Sequence, residues 1–297
     1  MAEIINFPVA KMGIKPPLNT PMLWEDRTLQ SLVSAPDGCE EEEGLLSILS
    51  NFEQEVAHPK QRRSFFLFLY EQMFDEKLLL ERRESLAAAV AALFAGPEHN
   101  MLLMPKLVLG TKQERLIAAL ALGFSGNYAA LEPLKTLLRD EDKDLQKAAA
   151  FGLSGLKDGF LDDQIVETFL EHLTPAQKPE VLTSLLVNLK LFANPSLESI
   201  FLSFSHHPQK EVRLTALGGL LFTCGTDGLE RAVECLSSSD ESIRAIALSV
   251  LERHGSRRNM EVILPLMGDA HPRIRQLARE TLGSVRERRL HGLVSSS

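Results

Sequence analysis

From residue 40 onward the apolar positions of this chain recur three, four and seven residues apart, the spacing of one helix face. No run alternates polar and apolar residues in the manner of a strand, and no alternating pair flanks an Asn-Gly or Asp-Gly turn. Glu40 to Glu43 open the helical pattern, their acidic side chains opposing the positive end of a helix dipole. A strongly apolar segment from Ser64 to Phe74 follows His58-Pro59. Residues 1–39 differ. They hold Pro8, Pro16, Pro17, Pro21 and Pro36 and no sustained period, which predicts extended or irregular backbone. Yet Ile4, Ile5, Phe7, Val9, Leu23, Trp24, Leu29 and Leu32 make this stretch too apolar for an ordinary linker, and a short amphipathic helix fits residues 22–33. Such an arm either folds back on its own body or docks on a partner.

The helical part repeats itself. Arg213, Arg244 and Arg275 stand 31 residues apart, each preceded by a β-branched residue (Val212, Ile243, Ile274) and followed three positions later by alanine (Ala216, Ala247, Ala278). Seven positions after each anchor comes Leu220, Leu251 or Leu282. The same frame runs back through Leu182 with Leu185 and Leu189, Gln146 with Ala149 and Leu153, and Arg115 with Ala118 and Leu122. The one wider interval, from Gln146 to Leu182, contains the loop from Thr174 to Pro179. A looser copy begins near Leu86. Between the anchors lies a second apolar segment, in register at Leu134, Ile165, Phe201, Ala232 and Ile263, then at Leu138, Phe169, Leu236 and Met267, with Ser205 breaking that column. Gly126, Gly155, Asn194, Gly225 and Gly255 mark turns between the segments.

Two helices per ~31 residues cannot close a core alone and must stack on their neighbours. The predicted fold is therefore all-α, a right-handed α-α superhelix: a solenoid over residues 40–297 preceded by the irregular arm 1–39. A quasi-linear stack also relieves a chain of 297 residues of the need to split into two globular domains.

The segments Asp240-Glu-Ser-Ile-Arg-Ala-Ile-Ala-Leu-Ser-Val-Leu251, Asp269 to Leu282 and His207 to Leu217 resemble the HEAT-like repeats named after the phycobilisome lyases, whose pattern is an acidic residue, then Val-Arg, Ala and Leu. The resemblance covers roughly residues 84 to 285. It implies that the arginines and preceding aspartates tie adjacent repeats together, with Asp240 and Arg244, and Asp269 and Arg275, at the matching positions. Gln146 and Leu182 interrupt such a ladder. It also implies that the second helices line the concave side.

Composition narrows the chemistry. Leucine and alanine carry the apolar load, since aromatic residues are only 6% of the chain, with one Trp and two Tyr. The net charge of -8 opposes a chain-wide nucleic-acid footprint. It is unevenly spread: residues 240–297 hold 10 bases, all arginine, against 7 acids, while residues 1–239 hold 22 bases against 33 acids. Three cysteines without metal-type spacing suit a reducing compartment, and the longest apolar stretch, Leu86 to Ala95, is far short of a membrane span. A cytoplasmic location follows as the expectation. Iron-dependent hydroxylases built from such repeats use His-Glu pairs as ligands, and none of the eight histidines here precedes Glu. DNA glycosylases of this type look to Trp and Asp on a basic face, whereas the only Trp here is in the arm. Cys235 falls in a second-helix column and reads as a small buried hydrophobe, and Cys224 sits at a turn with no base near it in sequence. His207-Pro208 reads as a helix entrance, and Gly218-Gly219 lacks phosphate-binding spacing. No catalytic, cofactor or metal residue is assigned.

Surfaces remain. Asp163, Glu167 and Glu171 form an acidic stripe on one second helix, either a solvated face or a groove for a basic segment. Arg286, Arg288 and Arg289 follow the last repeat anchor as a polar cap or contact. The expected function is a non-catalytic scaffold or adaptor that binds another protein through the solenoid face and through Leu23, Trp24 and Leu29 of the arm. A chromophore-lyase-like enzyme, a structural subunit of a larger assembly, and nucleic-acid binding through the C-terminal arginines are the alternatives.

Overall fold

A computed structural model describes residues 59–94, 97–123 and 127–294. Among these every regular element is helical. The arm 1–39 and the opening of the helical pattern at Glu40 lie outside the described residues. The chain forms two compact units, residues 1–93 and 94–297. In the first, α1 (Pro59–Phe74) and α2 (Leu80–Leu93) pack on each other. Phe66, Leu69 and Met73 of α1 and Leu86, Ala87 and Val90 of α2 are buried, and the buried Arg83 Nε donates to the Met73 carbonyl at 3.0 Å.

The second unit is the repeat array. Its first helices, those carrying the anchors, are α4 (Lys112–Leu122), α6 (Lys143–Gly155), α8 (Pro179–Leu189), α10 (Lys210–Thr223), α12 (Glu241–His254) and α14 (Pro272–Val294). The second helices are α3 (Pro97–Leu109), α5 (Leu131–Leu138), α7 (Asp162–His172), α9 (Glu198–Phe204), α11 (Thr226–Cys235) and α13 (Met260–Ile263). Each first helix packs on the next first helix along the whole array, from α4 on α6 to α12 on α14. The chain is thus an all-α solenoid.

The sequence columns are its core. Ala118, Ala149, Leu185, Ala216, Ala247 and Ala278 are fully buried, as are Leu122, Leu153, Leu189, Leu220 and Leu251. The small alanine lets the neighbouring helix approach, and the leucine fills the space one turn further on. Leu282, in the last repeat, is only half-buried. One column departs from expectation: Met267 is 41% exposed. Pro265 lacks the N–H that would continue α13, so the chain tightens into the 3₁₀ turn Leu264–Gly268 and carries Met267 away from the core.

The pairing of helices is not the one the sequence frame suggests. Second helices seat mainly on the first helix that follows them: α3 on α4, α5 on α6, α9 on α10, α11 on α12. The compact hairpin is therefore offset by half a repeat. Its origin lies six positions after the anchor, where Gly152 and Gly219 leave room for Leu134 of α5 and Phe201 of α9. The exception is α7, which touches α6 and α8 only lightly and is followed by the long loop Thr174 to Lys178.

Local caps fix the helix starts. The Asp142 carboxylate accepts from the Asp144 and Leu145 amides, Asp240 from that of Ser242, and Thr111 with Glu114 forms a capping box. The start of α11 is capped from the preceding second helix instead. Gly225 has no side chain to offer, and Glu198 Oε1 accepts from the Gly225 amide at 2.6 Å and the Gly228 amide at 2.8 Å. Glu198→Ala is expected to cost about 1–2 kcal/mol by leaving both donors short of a partner. A thermal melt superimposable on the wild type would show the cap to be dispensable.

Candidate interaction surfaces

The solenoid presents three separable surfaces: the edge where first helices begin, the outward face of the second helices, and the two end helices of the repeat array.

The edge is self-paired. Three residues before four of the six anchors a side chain reaches into the next repeat: Lys112 to Asp142 at 2.6 Å, Lys143 to Glu180 at 3.0 Å, Lys210 to Asp240 at 2.6 Å, and Glu241 to His271 at 3.1 Å, while Pro179 and Pro272 stand at the other two. Lys112 and Lys210 hold the carboxyls of Asp142 and Asp240 below the usual range. The anchors themselves first staple their own entry turn. Arg213 Nη1 donates to the His207 and Pro208 carbonyls at 2.9 and 2.7 Å, Arg244 Nη1 to Ser238 at 2.8 Å, and Arg275 Nη1 to Asp269 and Ala270 at 2.7 and 3.0 Å. Two of them also reach forward by 25 residues, Arg115 to Asp140 and Arg244 to Asp269, both at 2.9 Å. Asp240 thus answers Lys210, not Arg244, and the carboxylate of Asp269 answers Arg244 while Arg275 takes its carbonyl. Both Arg244 and Asp269 are 9% exposed at the side chain, so this pair is screened far less than its exposed neighbours. At Gln146 and Leu182, both buried, the ladder lapses. There the helices are tied by Ser154, whose hydroxyl donates to Asn188 Oδ1 at 2.7 Å.

These groups are committed to structure, and neither of the two described cysteines, Cys224 and Cys235, is set up as a nucleophile. Burial, with Glu198 nearby, pushes the Cys224 thiol up to about 12, and burial raises that of Cys235 as well. A thiol so raised stays protonated and inert at neutral pH. His207 Nδ1 accepts from the Gln209 amide at 3.1 Å, which makes it a turn residue. Among the described residues no group of three His, Cys, Asp or Glu side chains is arranged to hold a metal ion. No helix among them is long and apolar enough to cross a membrane.

The second-helix face is the uncommitted surface. Asp163, Glu167 and Glu171 are exposed on α7, while Ile165, Thr168 and Phe169 turn inward. The three acids belong to longer columns. In register with Asp163 stand Glu132, Ser199, Glu230 and Glu261, and with Glu167 stand Thr136, Ser203 and Glu234, all exposed. Glu132 pairs with Lys135 at 3.3 Å, Glu234 with Arg231 at 2.9 Å, and Glu171 with Arg139 at 3.8 Å. Asp163, Glu167, Glu230 and Glu261 make no ion pair among the described residues. Sequence inspection of α7 alone misses Glu132, Glu230, Glu234 and Glu261, although the 31-residue register that finds the core finds them too. Ser205, the break in the inner column, is explained on the same layer: it is fully buried and takes Arg231 Nε on its hydroxyl and Nη2 on its carbonyl, both at 2.9 Å.

The end helices carry what is left. Arg286 is exposed on α14, and Arg288 and Arg289 follow on the same helix with side chains outside the described ones. Leu23, Trp24 and Leu29 lie outside the described residues. At the other end of the array, α3 buries Leu103 and Leu107 and exposes Met101, Pro105, Val108 and Leu109.

No family model matches the chain, and no curated protein matches it. Among solved structures it is similar to an engineered protein at 15% identity and a TM-score of 0.36, covering 75% of this chain and 96% of that one. It is similar to a second engineered protein at 16% identity and 0.45, covering 87% and 77%. A designed armadillo repeat protein in complex with the peptide (KR)4 is similar at 14% identity and 0.28, covering 87% of this chain and 98% of its own.

Proposed function

We propose that this chain is a non-catalytic scaffold that binds another protein on the outward face of its second helices. The observation that carries the reading is the contrast between surfaces. The edge of the solenoid spends its charges on inter-repeat pairs, whereas the second-helix face holds a two-column acidic surface of which Asp163, Glu167, Glu230 and Glu261 make no ion pair among the described residues. Stacked repeats lend themselves to this use because they build an extended surface without a pocket. The resemblance to HEAT-like repeats implies that this layer is the concave one. A basic segment of a partner is the complementary chemistry. The apolar arm, with Leu23, Trp24 and Leu29, supplies a second contact in this reading.

The test is affinity capture from the native source with full-length protein, compared with the triple variant Asp163→Lys, Glu167→Lys, Glu171→Lys. A partner retained by the wild type and lost by the variant, with release as salt is raised, is the expected result. All three positions are exposed, so the variant should keep its helical content. Identical proteins recovered with both forms would overturn the assignment of the face. The same comparison after removing residues 1–39 separates the contribution of the arm.

A further inference from the structure

We propose that the apolar outward face of α3 is the seat for the C-terminal end of α14 from a second copy of this chain, joining copies head to tail. The seat is anomalous in its own register. Met101, Pro105 and Leu109 occupy the positions that carry Glu132 and Thr136 on α5, with Asp140 just past its end, and Asp163, Glu167 and Glu171 on α7. Met101 is 75% exposed and Leu109 83%, with Val108 beside them at 56%. Side chains this apolar, recurring every four residues on the outside of a helix, form a stripe that water solvates poorly. Next along the same layer come Glu132, then Asp163 and Glu167, so the apolar stripe is flanked by acid.

The occupant must then be a short helix that is apolar on one side and basic around it. The chain carries one. First helices α4 to α12 run 11 to 14 residues, but α14 runs 23. Val285 is the last buried side chain among the described ones, and Arg286 and Glu287 are exposed. From there the helix continues through Arg288-Arg-Leu-His-Gly-Leu-Val294, in which Leu290, Leu293 and Val294 recur at helical spacing among three arginines.

The contact has to be between copies. Within one chain α3 and α14 are separated by α4, α6, α8, α10 and α12 packed in succession. At about 8–10 Å per packed helix that exceeds anything an overhang of nine residues, about 14 Å long, can bridge. Charge disfavours the other occupants. Two α3 faces brought together would set the acidic columns of one copy against those of the other. Segment 22–33 of the arm brings Glu25 and Asp26 against a single Arg27. A two-turn helix covers less than the ~800 Å² per partner of a standard interface, so the association is weak, and because the two patches differ it propagates instead of closing.

Sedimentation velocity of the full chain over a wide concentration range tests this. The expected result is a sedimentation coefficient that rises with concentration and falls back as salt is added. The pair Met101→Glu, Leu109→Glu removes the seat, and the pair Arg288→Glu, Arg289→Glu spoils the occupant. Each should weaken association about tenfold or more, with unchanged helicity by circular dichroism. Mixed in equal amounts, the two variants still hold one intact seat and one intact overhang between them, so they should form a 1:1 pair and stop there. A wild type that stays monomeric throughout overturns the proposal. So does association surviving in the arginine variant, which would give the seat to the arm or to another α3, and so does a mixture that forms no pair.

Discussion

Replacing Leu251 by aspartate is expected to unfold the C-terminal part of the solenoid under conditions where the wild type is fully folded. Leu251 is completely buried on α12, in the same column as Leu122, Leu153, Leu189 and Leu220. Truncating such a leucine already costs about 2–5 kcal/mol, and placing a carboxylate there adds the cost of desolvating a charge that nothing answers. A total above about 4 kcal/mol is comparable with the 5–15 kcal/mol that holds a typical domain together. Stability in a stacked array is a sum over neighbours, so the loss should centre on α10, α12 and α14. Leu282→Asp is the internal control. It occupies the same column in the last repeat but is only half-buried, and it should cost distinctly less. Thermal denaturation followed by circular dichroism reads both. Leu251→Asp melting with the wild type, or Leu282→Asp melting as low as Leu251→Asp, would mean that the column is not the core.

Gly219→Ala should also destabilise, against the usual sign for a glycine within a helix. Exchanging a helix-interior glycine for alanine ordinarily gains about 0.8–1 kcal/mol. At position 219 the added Cβ would stand 2.2 Å from Cδ1 of Phe201 and 2.3 Å from its Cε1, and that ring is fully buried. Phe201 has to move or α9 has to lift off α10. Overpacking of this kind costs about 1–3 kcal/mol and outweighs the propensity gain. At Gly283, where nothing lies within 4 Å of the added carbon, the same exchange should stabilise. Combining Gly219→Ala with Phe201→Leu should recover part of the loss, since the two changes act on one contact. Equal melting temperatures for Gly219→Ala and Gly283→Ala would show that the close seat of Phe201 does not form.

What could be read from the chain and what could not divide along a physical line. The alanine and leucine columns were legible because the burial of a helix face is encoded in its own period, and 31-residue self-similarity makes each column visible several times. The departures were legible only as departures. Ser205 looked like a defect in an apolar column until Arg231, 26 residues on, supplied its partner. Met267 looked like a core residue because a register argument assumes a continuous helix, and Pro265 ends that continuity. Partners across repeats were the least legible. Asp240 and Arg244 are neighbours on one helix turn and invite pairing, but the carboxylate is already occupied by the Ser242 amide and Lys210, and the arginine extends 25 residues to Asp269. The same limit hid Glu198, which caps a helix that starts 28 residues later. The acidic face lay between these cases. Its columns share the register of the core, yet only the three acids crowded onto α7 stand out when one helix is viewed at a time.

The half-repeat offset between sequence frame and hairpin bears on how such an array can lengthen. A duplicated segment that begins with a second helix and ends with the following first helix, such as Thr226 to His254, carries its own internal apolar contact and can be spliced in as a closed piece. One that begins at a first helix carries two surfaces and no partner for either, and is left to find both among its new neighbours. Growth of this solenoid by whole-unit insertion is therefore easiest at the turns that follow Thr223 and His254. The turn at Thr174, where α7 is loosely held on both sides, is the junction at which extra residues disturb the least.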